Sequence, residues 1–282
     1  MYNLRYHIAS LAAVFLALAM GLVLGGLAVG RGALDDQQQA LVEGLRKEFS
    51  TLRTQNADLS AANEMLSDFA RQSNDAWAPG RLQGKSVVLL AGTGRTDGVQ
   101  AAQRDLEDAG AAVVVVTLLK PGLGVDDEAV RSRVESLTGE REDLAASVAA
   151  SLAAEWRTEA DGRPLTELLG AEGVLSAPGI DAQGTVFGVV DLASIDGKPD
   201  PSALAVARAF ADAGGTSVGA QTTNAGTGVA AAAADAGLSA LDTLDTQVGR
   251  FTLVALFSGG EPGYYGYAAG TKAPFPPIPG TD

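Results

Sequence analysis

The sequence predicts an α/β protein with a single N-terminal transmembrane helix, a coiled-coil stalk, and a Rossmann-like, doubly wound domain built on a mainly parallel sheet. Three observations carry this. Residues 8–29 form a 22-residue run without a charged side chain. Leucines recur every seven residues from Leu45 to Leu66. From residue 86 onward, short β-branched runs alternate with helical stretches, the pattern of parallel strands joined by crossover helices. The implied boundaries are 1–30 for the cytoplasmic tip and anchor, 31–79 for the stalk, and 80–282 for the α/β domain with an extended C-terminal tail.

The apolar run is long enough to cross the hydrocarbon core as a helix, at about 1.5 Å per residue. A secretory signal has a shorter apolar core, although Ala28-Val29-Gly30 weakly matches a small-x-small cleavage site and leaves processing open. Arg5 and His7 precede the run, while Asp35 and Asp36 follow Arg31. The positive-inside rule therefore keeps the N-terminus in the cytoplasm and places the bulk of the chain in the periplasm, anchored in the inner membrane by one pass. Gly21 and Gly25 form a GxxxG pair that would let two such helices approach closely.

From about Gln37 to Ser73 the chain contains no proline and one glycine, Gly44. With Leu45, Leu52, Leu59 and Leu66 at heptad position d, position a holds Val42, Phe49, Asn56 and Asn63. Such a seam predicts a parallel homodimeric coiled coil, in which buried asparagines weaken the pair but fix its register. The alternative is one amphipathic helix packed on its own globular domain. Trp77-Ala78-Pro79-Gly80 closes the stalk.

In the globular part, Ser86–Ala91 and Ala112–Leu118 read as strands buried on both faces, with a helix over 97–109 between them. Residues 126–160 and 164–170 read as helical, 185–191 as a strand, 201–213 as a helix with proline in its first turn, and 216–221 as a strand. A helix over 229–236 and a short strand over 238–241 follow, and the tail 274–279 reads as extended and mobile.

Composition narrows the chemistry. All but one of the 20 Lys and Arg residues, and all 34 Asp and Glu, lie after residue 30. So acidic a surface repels phosphate backbones, and no nucleic-acid partner is expected. Cysteine is absent and His7 is the only histidine, which removes thiol chemistry and most imidazole chemistry. The loop Gly92-Thr93-Gly94-Arg95-Thr96-Asp97-Gly98 follows a strand as a phosphate cradle would, but it departs from G-x-G-x-x-G in its last spacing and reads as a tight turn. Soft copper ligands are limited to Met1, Met20, Met65 and His7, so no metal site, no cofactor and no catalytic residue is expected. Tyr264, Tyr265 and Tyr267 cluster among glycines near the C-terminus, as a partner-binding loop or as a cap on the core.

The apolar run from Ser10 to Gly25, the stalk behind it, and the block Gly249-Arg250…Gly259-Gly260…Tyr265-Gly266 resemble the actinobacterial family named for the copper transporter MctB. The resemblance implies two different roles. MctB-like members imply copper transport or efflux across the envelope. SteB-like members imply a non-enzymatic, membrane-anchored regulator of cell separation that works with a SteA-like membrane partner on the helical region of an NlpC/P60-type peptidoglycan endopeptidase. No catalytic residue carries over from either.

Overall fold

The structure is a computed structural model that describes residues 4–29, 33–94, 98–159 and 162–279. The chain divides into two compact units, residues 1–66 and 67–282.

The first unit is helical. Helix α1 (Leu4–Val29) contains the span Arg5–Leu27, long and apolar enough to cross a membrane. Its described side chains are all exposed, as a helix that faces lipid requires. Helix α2 (Ala33–Trp77) has 45 residues, and its last turns, from Ser67 on, belong to the second unit. Proline is absent from it, and Ser50, Thr51 and Thr54 turn their hydroxyls back onto carbonyls one turn earlier, so these poor helix formers are absorbed. The seam residues Val42, Leu45, Phe49, Leu52, Asn56, Leu59, Asn63 and Leu66 are all exposed along it.

The second unit is an α/β domain. Its elements are β1 (Ser86–Ala91), α3 (Val99–Asp108), β2 (Ala112–Leu118), α4 (Glu128–Thr138), α5 (Leu144–Arg157), α6 (Pro164–Ala171), β3 (Leu175–Ser176), β4 (Val186–Asp191), β5 (Ser194–Ile195), β6 (Lys198–Pro199), α7 (Pro201–Asp212), β7 (Thr216–Ala220), α8 (Val229–Asp235), β8 (Ser239–Leu241), α9 (Gln247–Phe257) and β9 (Tyr264–Tyr265). Seven strands form one sheet in the order β3-β2-β1-β4-β7-β8-β9, parallel except for the edge strand β3. Strands β5 and β6 form a separate antiparallel hairpin.

Strand β1 shows why its sequence is continuously apolar. Val88 and Leu90 enter a core with Trp156 and Phe210 on one face, while Val87 and Leu89 enter a core with Leu106 and Phe257 on the other. Side chains cap several helices: Asp127 accepts from the Ala129 amide at 3.0 Å, Asp200 from Ser202 at 2.8 Å, and Thr246 from Gly249 at 3.0 Å.

The structure departs from the sequence reading in two places here. The helical run 126–160 is two helices, because Gly139 caps α4 in the left-handed conformation and returns the chain toward α5. The tail is held rather than loose: Ala273 bridges to Tyr265, Pro276 is buried, and the Phe275 ring meets Phe251 edge-on at 6.0 Å.

Candidate functional site

Doubly wound sheets bind ligands outside the carboxyl ends of their strands, at the point where strand order reverses. Here that point lies between β1 and β4. The chain leaves β1 through Gly92, Thr93 and Gly94, the described beginning of the glycine loop; Arg95, Thr96 and Asp97 lie outside the described residues. The hairpin β5–β6 crosses directly over this loop. A Cβ on Gly92 or Gly94 would stand 2.6 Å or 2.5 Å from the Ser194 carbonyl oxygen, so both glycines are needed for the hairpin to seat. The remaining cavity, lined in part by Gly98, Leu192, Ser194, Thr222 and Thr227, measures about 20 Å³. That is room for about one water molecule, not for a nucleotide.

The crest beneath the hairpin is polar. Asp191 at the end of β4 is 1% exposed, and its carboxylate accepts from the Ala193 amide at 3.0 Å. Burial pushes this carboxyl up to about 7, and the nearby charge of Asp200 adds to the rise. Both carboxylates hold backbone amides and fasten the two ends of the hairpin: Asp191 through Ala193, Asp200 through Ser202. A carboxyl that titrates near neutrality is the usual material of acid–base catalysis, but this one serves as a structural acceptor under its own loop.

The tyrosine block is organised by Asp242, which follows β8 and is buried. Its carboxylate accepts from the Tyr267 amide at 2.9 Å, the Ala268 amide at 2.8 Å and the Tyr264 hydroxyl at 3.3 Å. Burial and the adjacent carboxylate push the Tyr264 phenol up to about 12. Tyr265 is 1% exposed and donates to the Glu261 carbonyl at 2.9 Å, so it belongs to the core. Tyr267, at 63% exposure, presents its ring to solvent, and Tyr264 is half-buried. The three tyrosines thus stand together in sequence but not on one surface.

Sequence reasoning misses a groove of about 570 Å³ beside this block, between α8, β8 and the loop around Gly270. Its walls combine apolar residues (Ala231, Ala234, Leu238, Pro262) with the polar Asp235, Ser239 and Tyr264, which come from separate stretches of the chain. Among the described residues, no group of three or more His, Cys, Asp or Glu side chains is placed to hold a metal ion.

The family model described as "Copper transport outer membrane protein, MctB" matches residues 1–276. The chain belongs to the MctB family. Proteins named Copper transporter MctB from two Mycobacterium tuberculosis strains and from Mycobacterium bovis are similar to it, 38% identical over 127 residues. The aligned segment covers 42% of this chain and 38% of each relative, well under half the length of the curated MctB proteins it matches. No solved structure matches. The MctB family is thus represented here by one apolar N-terminal helix, a long polar helix, and a helix-covered sheet whose ligand crevice is filled by its own hairpin.

Proposed function

We propose that this protein serves the envelope copper handling for which its relatives are named, and that it does so as a membrane-anchored assembly component rather than as the conduit. The family match over residues 1–276 carries the copper assignment. The role within it follows from physics. A conduit needs several spanning helices or a closed barrel of alternating strands. This chain offers one spanning helix among its described residues, and an open sheet covered by helices on both faces. The exposed heptad seam of α2 supports pairing with a second copy through Leu45, Leu52, Leu59 and Leu66, with the N-terminus in the cytoplasm and the α/β domain outside. A strain lacking the gene should accumulate cell-associated copper, and the full chain should reverse this. Unchanged copper in the deletion strain would remove the copper role.

A second reading rests on the same seam. An exposed a/d stripe can also receive the apolar face of a helix from another protein. The candidate is the helical region of a peptidoglycan endopeptidase, acting with a SteA-like membrane partner in cell separation. None of the relatives named above is called a division protein, so this reading ranks second. Chained, unseparated cells with normal copper in the deletion strain would reverse the ranking.

A further inference from the structure

Arg250, on the first turns of α9, is largely buried between two other helices. Its Nη1 pairs with Asp75 of α2 at 3.0 Å. Its Nη2 and Nε face Asp108 and Asp105 of α3, at 3.1 Å and 3.5 Å. One guanidinium therefore ties the end of the long helix and α3 to a third element, with its fork spread over three carboxylates. Neighbouring contacts repeat the pattern. Asn74 donates to the carbonyl and the side-chain oxygen of Gln247, at 2.7 Å and 3.2 Å. Trp77 leans on Phe251 with ring centroids 4.8 Å apart, and Arg81 stacks over Trp77 while donating to its carbonyl.

This joint differs from the sheet core in kind. It is mostly polar and incompletely satisfied: Trp77 Nε1 is buried without a hydrogen-bond acceptor among the described residues, and Arg250 Nε meets Asp105 only as a long ion pair without a hydrogen bond. Asp105 is pushed up to about 6, with desolvation outweighing the pull of Arg250 and Arg104, while Asp108 adds repulsion. By contrast, β1 and most of β4 are sealed by apolar aliphatic and aromatic contacts on both faces. Polar joints with poorly satisfied donors open at lower free energy than apolar cores.

We propose that residues 67–77, the last turns of α2, form a strap that detaches from the α/β domain as a unit while the sheet stays folded, with Arg250 as its clasp. Release frees Asp75 and Trp77 and uncovers Gln247 and Phe251. The domain can then exist in a docked and an undocked state of its own membrane-side helix. Arg250 acts here as a positioning residue that sets the balance between the two.

Amide hydrogen exchange on the full chain in lipid nanodiscs tests this. In the wild type, amides of residues 71–77 should exchange faster than those of β1 and β4, reporting a separate opening. Arg250→Gln should speed exchange across 71–77 by about tenfold and leave β1 and β4 unchanged. Asp75→Asn, at a half-exposed position, should produce a smaller change of the same kind and keeps the test valid if Arg250→Gln does not fold. Equal protection of 71–77 and the sheet in the wild type would overturn the proposal. So would variants in which the strap changes only together with β1 and β4, or does not change at all.

Discussion

Asp242 and Gly266 interlock: the carboxylate of Asp242 fills the space where any Cβ on Gly266 would stand. Gly266 adopts φ +136°, a backbone conformation that side chains rarely reach, so glycine is required there twice over. This fit brings the Tyr267 and Ala268 amides onto the carboxylate. Asp242→Ala should leave both amides and the Tyr264 hydroxyl without their acceptor, costing about 2–4 kcal/mol. Gly266→Ala should destabilise by a similar amount through overlap and strain. Thermal unfolding of residues 31–282 measures both, and wild-type melting of either variant would contradict the interlock of Asp242 with Gly266.

The crest beneath the hairpin gives a pH signature. Asp191 holds its proton up to about 7 in the fold, against an unfolded value near 3.8. The folded state therefore binds the proton more tightly. Its stabilising contribution is fully present below about pH 3.8 and is lost as pH rises through 7. Asp105, pushed up to about 6, adds the same sign over a narrower window. Asp191→Asn keeps an acceptor for the Ala193 amide without the charge, and should raise the urea midpoint at pH 8 relative to wild type. A variant less stable than wild type at pH 8, with no flattening of the pH dependence, would show that burial does not raise the Asp191 carboxyl.

The seam of α2 should pair. Glu48 and Arg53 fall at positions g and e, where a parallel, in-register partner brings opposite charges together. Leu52→Ala and Leu59→Ala should each weaken the pair by about 2–3 kcal/mol if buried in it, and together should make residues 31–282 sediment as monomers. A wild-type fragment that is monomeric at tens of micromolar would end this prediction.

Copper itself should not bind tightly to the α/β domain. Beyond residue 30 the soft-ligand inventory is Met65 alone, since His7 precedes it and cysteine is absent. Titration of residues 31–282 with Cu(I) should give no submicromolar site in calorimetry. A stoichiometric tight site would restore direct metal carriage.

The sequence made some elements legible and hid others for identifiable reasons. Strand β1 and helix α7 announce themselves because both-face burial, or a proline in the first turn, leaves a local mark. The β-branched run of β2 reads as buried on both faces, yet it buries only Val114, Val116 and Leu118, its other side being half-buried or exposed. Helix α9 escapes because Gly249 lies inside its first turn. That glycine is imposed by the Thr243 carbonyl, which a Cβ would overlap. Strand β9 is two residues long and exists through Asp242, Ala273 and β8, partners that no local window contains. The block Gly249-Arg250 is visible as a motif, yet the clasp is not, because its acids come from positions 75, 105 and 108 on two other helices. The tyrosines look alike in sequence, and only tertiary structure separates buried Tyr265 from exposed Tyr267.

The hairpin seated on Gly92 and Gly94 also bears on how this protein could be blocked. A cavity of about 20 Å³ gives a small-molecule competitor no footing at the place where such folds are ordinarily attacked. Displacing the hairpin would mean breaking the acceptors Asp191 and Asp200 provide at its two ends. On the proposed pairing of α2, a stapled helix carrying the Leu45–Leu66 heptads would compete for the seam where an inhibitor of the crevice would find nothing to occupy.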